Sequence, residues 1–152
     1  KAARRLVVDD RVAIVHAGIT RQIITHDQPA AKPCVLLSGG ETTVTVRAKG
    51  GRGGRNSEFL LSLLLQLRDT PGYCALAIDT DGIDGSEDNA GAIIDAATWQ
   101  KASKDGLDLA DRLDHNDAYG AFEKLDALII TGPTLTNVND FRAILIRPEN
   151  GE

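Results

Sequence analysis

The chain has 152 residues, 42% of them hydrophobic and 26% charged, which suits one water-soluble domain with its own apolar core. Seventeen basic against 22 acidic side chains give a net charge of -5, which argues against a general nucleic-acid surface but allows a local basic pocket. No apolar run approaches the roughly 18 residues of a membrane span, and Leu6-Val7-Val8 stops at Asp9-Asp10, too soon for a signal peptide, so the expected location is the cytoplasm.

Apolar residues Val12, Val15, Ile19, Ile23 and Ile24 recur at helical spacing, which predicts a helix over residues 11–25 capped by Asp9 or Asp10. Gln28 to Pro33 breaks it. Cys34 to Leu37 is a short apolar run ended by Gly39-Gly40, as in a buried strand. Thr43 to Arg47 alternates with β-branched residues and suits a half-buried strand, which would form a hairpin with the preceding one. The glycine loop Lys49 to Arg55 leads into a helix capped by Asn56 or Ser57 and ending near Arg68. That helix is apolar almost all round, so it must be buried on most sides.

Cys74 to Ile78 predicts a second buried strand, followed by an acidic glycine-rich loop from Asp79 to Gly91. Residues 93–104 read as a helix stopped by Gly106. Two short helices follow, one capped by Asp108 and one by Asn116 or Asp117. Leu128 to Ile130 is a strand feeding the loop 131–137, and Phe141 to Ile146 is the last strand. Alternating strands and helices give an α/β class, expected as a layered α/β/α Rossmann-like domain with a mixed sheet. The expected organisation is an interdomain remnant at 1–32, the α/β domain at 33–147 and a tail at 148–152. The chain holds no methionine and starts at Lys1, so it reads as an excised piece of a longer protein.

Cys34 and Cys74 beside apolar runs read as free strand thiols, and with three scattered histidines they give no zinc spacing. His16, His26 and His115 read as helix or boundary residues, and Trp99 and Tyr119 as packing residues.

Ligands of open α/β sheets collect beyond the carboxyl ends of strands, and four polar glycine-rich loops leave such ends here. In the first, Ser38, Gly39, Gly40, Glu41 and Thr42 let backbone approach a ligand and offer hydroxyl donors to anions, or else form a tight hairpin turn. In the second, Gly53, Gly54 and Asn56 lead into a helix N-terminus, an anion-binding arrangement, with Arg52 and Arg55 able to grip phosphate or carboxylate. A mobile loop with solvated charges is the competing reading. The loop fits neither the Walker pattern nor the dinucleotide fingerprint. In the third, the closely spaced carboxylates of Asp79, Asp81 and Asp84, with Glu87 and Asp88 after them, can hold Mg²⁺ beside phosphate oxygens or supply a general base, or else make turns and helix caps. In the fourth, Thr131, Gly132, Thr134 and Asn137 crowd hydroxyls and amides at a strand end.

Five stretches in this order carry a resemblance: residues 38–46 (SGGETTVTV), 53–59 (GGRNSEF), 80–85 (TDGIDG), 116–120 (NDAYG) and 131–140 (TGPTLTNVND). Together they resemble the MOFRL domain, the C-terminal domain of the type-2 glycerate kinases. Ser57 stands where that pattern leads one to expect glutamine. The resemblance implies a glycerate 2-kinase that passes the γ-phosphoryl group of ATP, with Mg²⁺, to the 2-hydroxyl of D-glycerate. It implies an active site between this domain and a larger N-terminal domain of the same chain, so that this piece is inactive alone. Arg55, then Arg52, would face the ligand, and Asp81 would act on metal or substrate, with Asp84 as a second metal ligand. Two other classes stay open: an NAD(P)-dependent hydroxypyruvate reductase, and a non-catalytic interaction or dimerisation module. Small-molecule partners are expected, with neither nucleic acid nor membrane, and homodimerisation is left open.

Overall fold

The computed structural model describes residues 8–40 and 51–148. Its elements run α1 (Val8–His26), β1 (Cys34–Gly40), α2 (Arg55–Leu67), β2 (Tyr73–Asp79), β3 (Gly91–Asp95), α3 (Ala96–Lys104), α4 (Leu109–Asp114), α5 (Ala118–Leu125), β4 (Leu128–Ile129) and β5 (Asp140–Ile146). No helix among the described residues is long and apolar enough to cross a membrane.

Helix α2 is the centre of the core. Leu60, Leu61, Leu63 and Leu64 have no exposed surface, because α2 lies against β2 and β3 and is flanked by α1, α4 and α5. Removing one leucine side chain from water stabilises by about 2 kcal/mol before entropy is counted, so this one helix organises the fold. Helix α1, which the sequence places in an interdomain remnant, adds Ala13, Ala17 and Ile23 to the same core.

The sheet has five strands in the order β1-β5-β2-β3-β4. Each neighbouring pair is antiparallel. Strands β1, β2 and β4 therefore run one way and β3 and β5 the other. Gly40 and Asp79 both stand opposite Asp140, so the carboxyl ends of β1 and β2 flank the start of β5. Gly91, at the start of β3, pairs with Ile129 at the end of β4.

The α/β class is as expected, but details of the architecture differ. Among the described residues the sheet is antiparallel rather than mixed. Alternating elements do make β1 and β2 run in the same direction, but β5, from the far end of the sequence, sits between them. The helices also share one face rather than two. Tyr73, Ala75, Ala77, Ile94, Ile144 and Ile146 form one core with residues of α1 to α5, whereas Val35 (52% exposed), Leu37 (61%), Ile93 and Phe141 on the other face lie open. Strand β3 was not expected: it starts at the end of the expected acidic loop and takes the first three residues of the expected helix at 93–104, because five residues are too few to show a period, and Asp95 ends the strand and caps α3. The expected strand at 43–47 and its hairpin lie outside the described residues.

Candidate functional site

The strand directions bring the described parts of the four loops to one end of the sheet. The loop after β2 meets the loop after β4: Thr134 N–H donates to Asp81 O at 3.0 Å, and Thr80 Oγ1 donates to Asn139 O at 2.8 Å. Gly82, at φ +97°, lies so close to this second loop that a Cβ would stand 2.1 Å from Gly132 O, so no side chain fits there. Asn137 donates to Asp81 Oδ2 at 3.3 Å. Thr131, Thr134 and Asn137 are exposed on the rim and Gly132 is half-buried.

The start of α2 is held by a carboxylate of the same chain. Asp84 is 1% exposed. Its Oδ1 accepts from Asn56 N–H at 2.9 Å, and its Oδ2 accepts from both Ser57 N–H and Ser57 Oγ at 2.7 Å. Gly54 is the N-cap and makes no side-chain bond itself. A Cβ on Gly54 would fall 2.0 Å from Asp84 O. The helix N-terminus expected to receive an external anion is thus filled by Asp84, and the expected caps Asn56 and Ser57 are donors to it. Burial pushes the Asp84 carboxyl up, opposed by these hydrogen bonds. Gly53 packs against Glu58 and Asn116 rather than lining open space.

Below the rim lies a buried ionic network that the sequence did not reveal. Arg142 and Asp140 pair at 2.8 Å with side chains 2% and 0% exposed, and the Arg142 guanidinium lies 5.0 Å from the Phe59 ring centre. Asn56 Nδ2 donates to Asp140 Oδ1 at 2.9 Å. Arg55 pairs with Asp79 at 2.8 Å and stands 3.7 Å from Asp140. Its side chain is 30% exposed, so Arg55 joins the network to the rim. The missed signal was register: in the alternating run 140–146, Asp140 and Arg142 fall on the core-facing positions with Ile144 and Ile146.

Arg52 is further out. It pairs with Glu123 at 3.0 Å, both about half exposed, and lies 4.7 Å from the Tyr119 ring centre. Tyr119 Oη donates to Asp88 at 2.9 Å, so Tyr119 is a packing residue with a polar anchor. Ser38, on the helix-facing side of β1, contacts His16 Nε2 at 2.8 Å. Gly39 and Gly40 end β1 beside Asp140, while Glu41 and Thr42 lie outside the described residues. Cys34 and Cys74 are free and half-buried, and burial raises the Cys74 thiol.

The acidic loop does not fit a shared Mg²⁺ site. Both Asp84 oxygens are taken by α2, and Asp81 Oδ1 accepts from Ile83 N–H at 2.9 Å. No group of three His, Cys, Asp or Glu residues able to hold a metal occurs among the described residues.

Residues 34–140 match the MOFRL family. A "Putative hydroxypyruvate reductase" of Agrobacterium vitis is 54% identical over 136 residues, covering 89% of this chain and 35% of the relative. A "Glycerate 2-kinase" of Pyrococcus horikoshii is 40% identical over 134 residues, covering 88% of this chain and 30% of the relative. The crystal structure of a glycerate kinase from Thermotoga maritima superposes with a TM-score of 0.87 at 40% identity, covering 91% of this chain and 33% of that one. The chain spans about a third of the length of these relatives.

Proposed function

The chain belongs to the MOFRL family, and on that premise we propose that it supplies one wall of a glycerate 2-kinase site. The reaction passes the γ-phosphoryl group of ATP to the 2-hydroxyl of D-glycerate. The observation that carries this reading is the gathering of Ser38, Arg55, Asp81 and the loop 131–139 at one end of the sheet, in a chain that superposes on a glycerate kinase. The other wall would come from a larger N-terminal domain of the same polypeptide, with 33–147 as this domain, 148–152 as its tail and α1 as the joint between the two. The protein would work in the cytoplasm, where ATP is supplied.

Arg55 is the first choice for the charge that meets the transferring phosphoryl group or the glycerate carboxylate, because its guanidinium is fixed by Asp79 and still reaches the rim. Arg52 is the second. Thr131, Gly132, Thr134 and Asn137 would bind oxygen atoms of substrate or nucleotide, Gly39 and Gly40 would line the neighbouring edge, and Glu41 and Thr42 are further candidates for binding the ligand. Gly54 and Asn56 support the site by seating α2 on Asp84, and Gly53 by its close packing on Glu58 and Asn116. Asp81, which is partly exposed, is the carboxylate retained as a single ligand to Mg²⁺ that phosphate oxygens would hold; Asp84 is not, since it is 1% exposed and α2 takes both its oxygens.

The test is a coupled kinase assay on a polypeptide of the relatives' length that contains this chain. ATP-dependent phosphorylation of D-glycerate is expected; a rate no higher than background overturns the reading. The 54% identical relative's name favours a second reading, reduction of hydroxypyruvate by NAD(P)H. Consumption of NAD(P)H with hydroxypyruvate, without kinase turnover, would put it first.

A further inference from the structure

His16 makes two hydrogen bonds that together fix where its proton sits. Nδ1 lies 2.8 Å from the Val12 carbonyl oxygen. A carbonyl oxygen only accepts, so Nδ1 carries the hydrogen. In the neutral ring Nε2 is then a bare acceptor, and the group facing it is Ser38 Oγ at 2.8 Å. The Ser38 hydroxyl must therefore donate to His16. Having given its hydrogen away, Ser38 Oγ offers only lone pairs to anything else that approaches.

This reverses the role expected for Ser38. A hydroxyl in a glycine-rich loop is read as a donor to anions, but a hydroxyl committed to a neutral imidazole is an acceptor. It suits an alcohol O–H better than a phosphate or carboxylate oxygen. The pair is also well placed: Ser38 stands opposite Arg142 on β5, and Arg142 binds Asp140, which lies 3.7 Å from Arg55. The imidazole is held edge-on to Phe59, with ring centres 5.3 Å apart, so its orientation is set by the α2 core.

We propose that His16 is a positioning residue that fixes the Ser38 hydroxyl as a hydrogen-bond acceptor for the alcohol group of the phosphoryl acceptor. This rests on the kinase reading above. Protonation of His16 would put a hydrogen on Nε2, force Ser38 to accept it, and turn the Ser38 hydroxyl into a donor. The neutral form is the one the surroundings favour: burial lowers the histidine, and Arg142 lowers it further, against the Val12 hydrogen bond that raises it. Around the ring, α1 contributes Val12, β1 Ser38, α2 Phe59 and β5 the charged Arg142, itself paired with Asp140.

The experiment uses a polypeptide of the relatives' length and has two readouts. In ¹⁵N-histidine NMR at neutral pH, His16 is expected as the Nδ1–H tautomer, and its titration midpoint should move in Ser38→Ala. An Nε2–H tautomer overturns the proposal whatever the activity. In kinetics, kcat/KM should fall at acid pH as His16 protonates. His16→Gln, whose Oε1 can still accept from Ser38, should keep activity within about threefold at neutral pH and lose that acid limb. His16→Leu should lower kcat/KM by about tenfold, the effect of one lost hydrogen bond. An active wild type whose acid limb persists unchanged in His16→Gln overturns the His16 role alone. A wild type with no glycerate phosphorylation overturns the kinase reading and the substrate role together.

Discussion

Asp84 and Ser57 lie 27 residues apart in sequence, yet one carboxylate oxygen takes both the backbone N–H and the hydroxyl of Ser57 at 2.7 Å. A loop after β2 thus caps a helix that precedes β2. The first turn of α2 keeps its donors satisfied inside the protein, and the acidic loop is pinned to the core helix.

Asp84→Ala should therefore act on stability. It strands the N–H groups of Asn56 and Ser57 and the Ser57 hydroxyl in a buried place, which costs about 3 kcal/mol. Urea unfolding with an unchanged slope would measure it. A loss below about 0.5 kcal/mol would show that other groups cap α2.

Arg55→Ala should lower kcat/KM of a full-length kinase by on the order of 10²-fold. It also removes the partner that holds Asp79, so stability must be measured alongside. Arg55→Lys keeps the charge but not the forked geometry and should recover stability better than activity. A drop in kcat/KM below about threefold for Arg55→Ala would remove it from the site.

Arg52 gives the contrasting result. It is exposed, and its Glu123 pair is open to solvent, where ion pairs add little. Arg52→Ala should leave Tm unchanged. A loss of activity of tenfold or more with Tm unchanged would place its charge on the ligand.

Asp81→Asn should raise the Mg²⁺ concentration needed for half-maximal rate. An amide of the same shape keeps the Ile83 contact through its one oxygen, and only the exposed Asn137 contact, which needs a second acceptor, is lost, so the loop should hold. The same Mg²⁺ dependence in both proteins would sink the metal assignment.

Stability should also fall on the acid side because of His16. Burial depresses its pKa in the folded state, so the unfolded chain binds the extra proton first. The stabilisation is present above the ordinary histidine pKa of about 6.5 and is lost as pH falls through the folded value. His16→Gln should flatten that part of the profile; an equal slope in both proteins would assign it to other groups.

The helices and most strands were legible in the sequence because apolar spacing and glycine or proline breaks are local signals. The leucine-rich run before Arg68 predicted a helix buried on most sides, and α2 is that helix. Asp108 predicted a cap, and its side chain accepts from Ala110 and Asp111 N–H. The ordered stretches Ser38–Val46 to Thr131–Asp140 carried the family, because loop sequences record what a chain binds more specifically than core sequences do. The site was less legible. Arg55, Asp81 and the threonine loop are brought to one end of the sheet, but Asp84 looked like a metal ligand only while its partners on α2 were unknown.

The sequence by itself determined the α/β class, the buried central helix and the family, all of which follow from residues near one another in the chain. Only the tertiary structure decided that β5 separates β1 from β2, that the helices crowd one face, and that His16 on α1 meets Ser38 on β1. Strand order and hydrogen-bond polarity depend on which distant groups meet, and no local pattern encodes a partner 22 or 84 residues away.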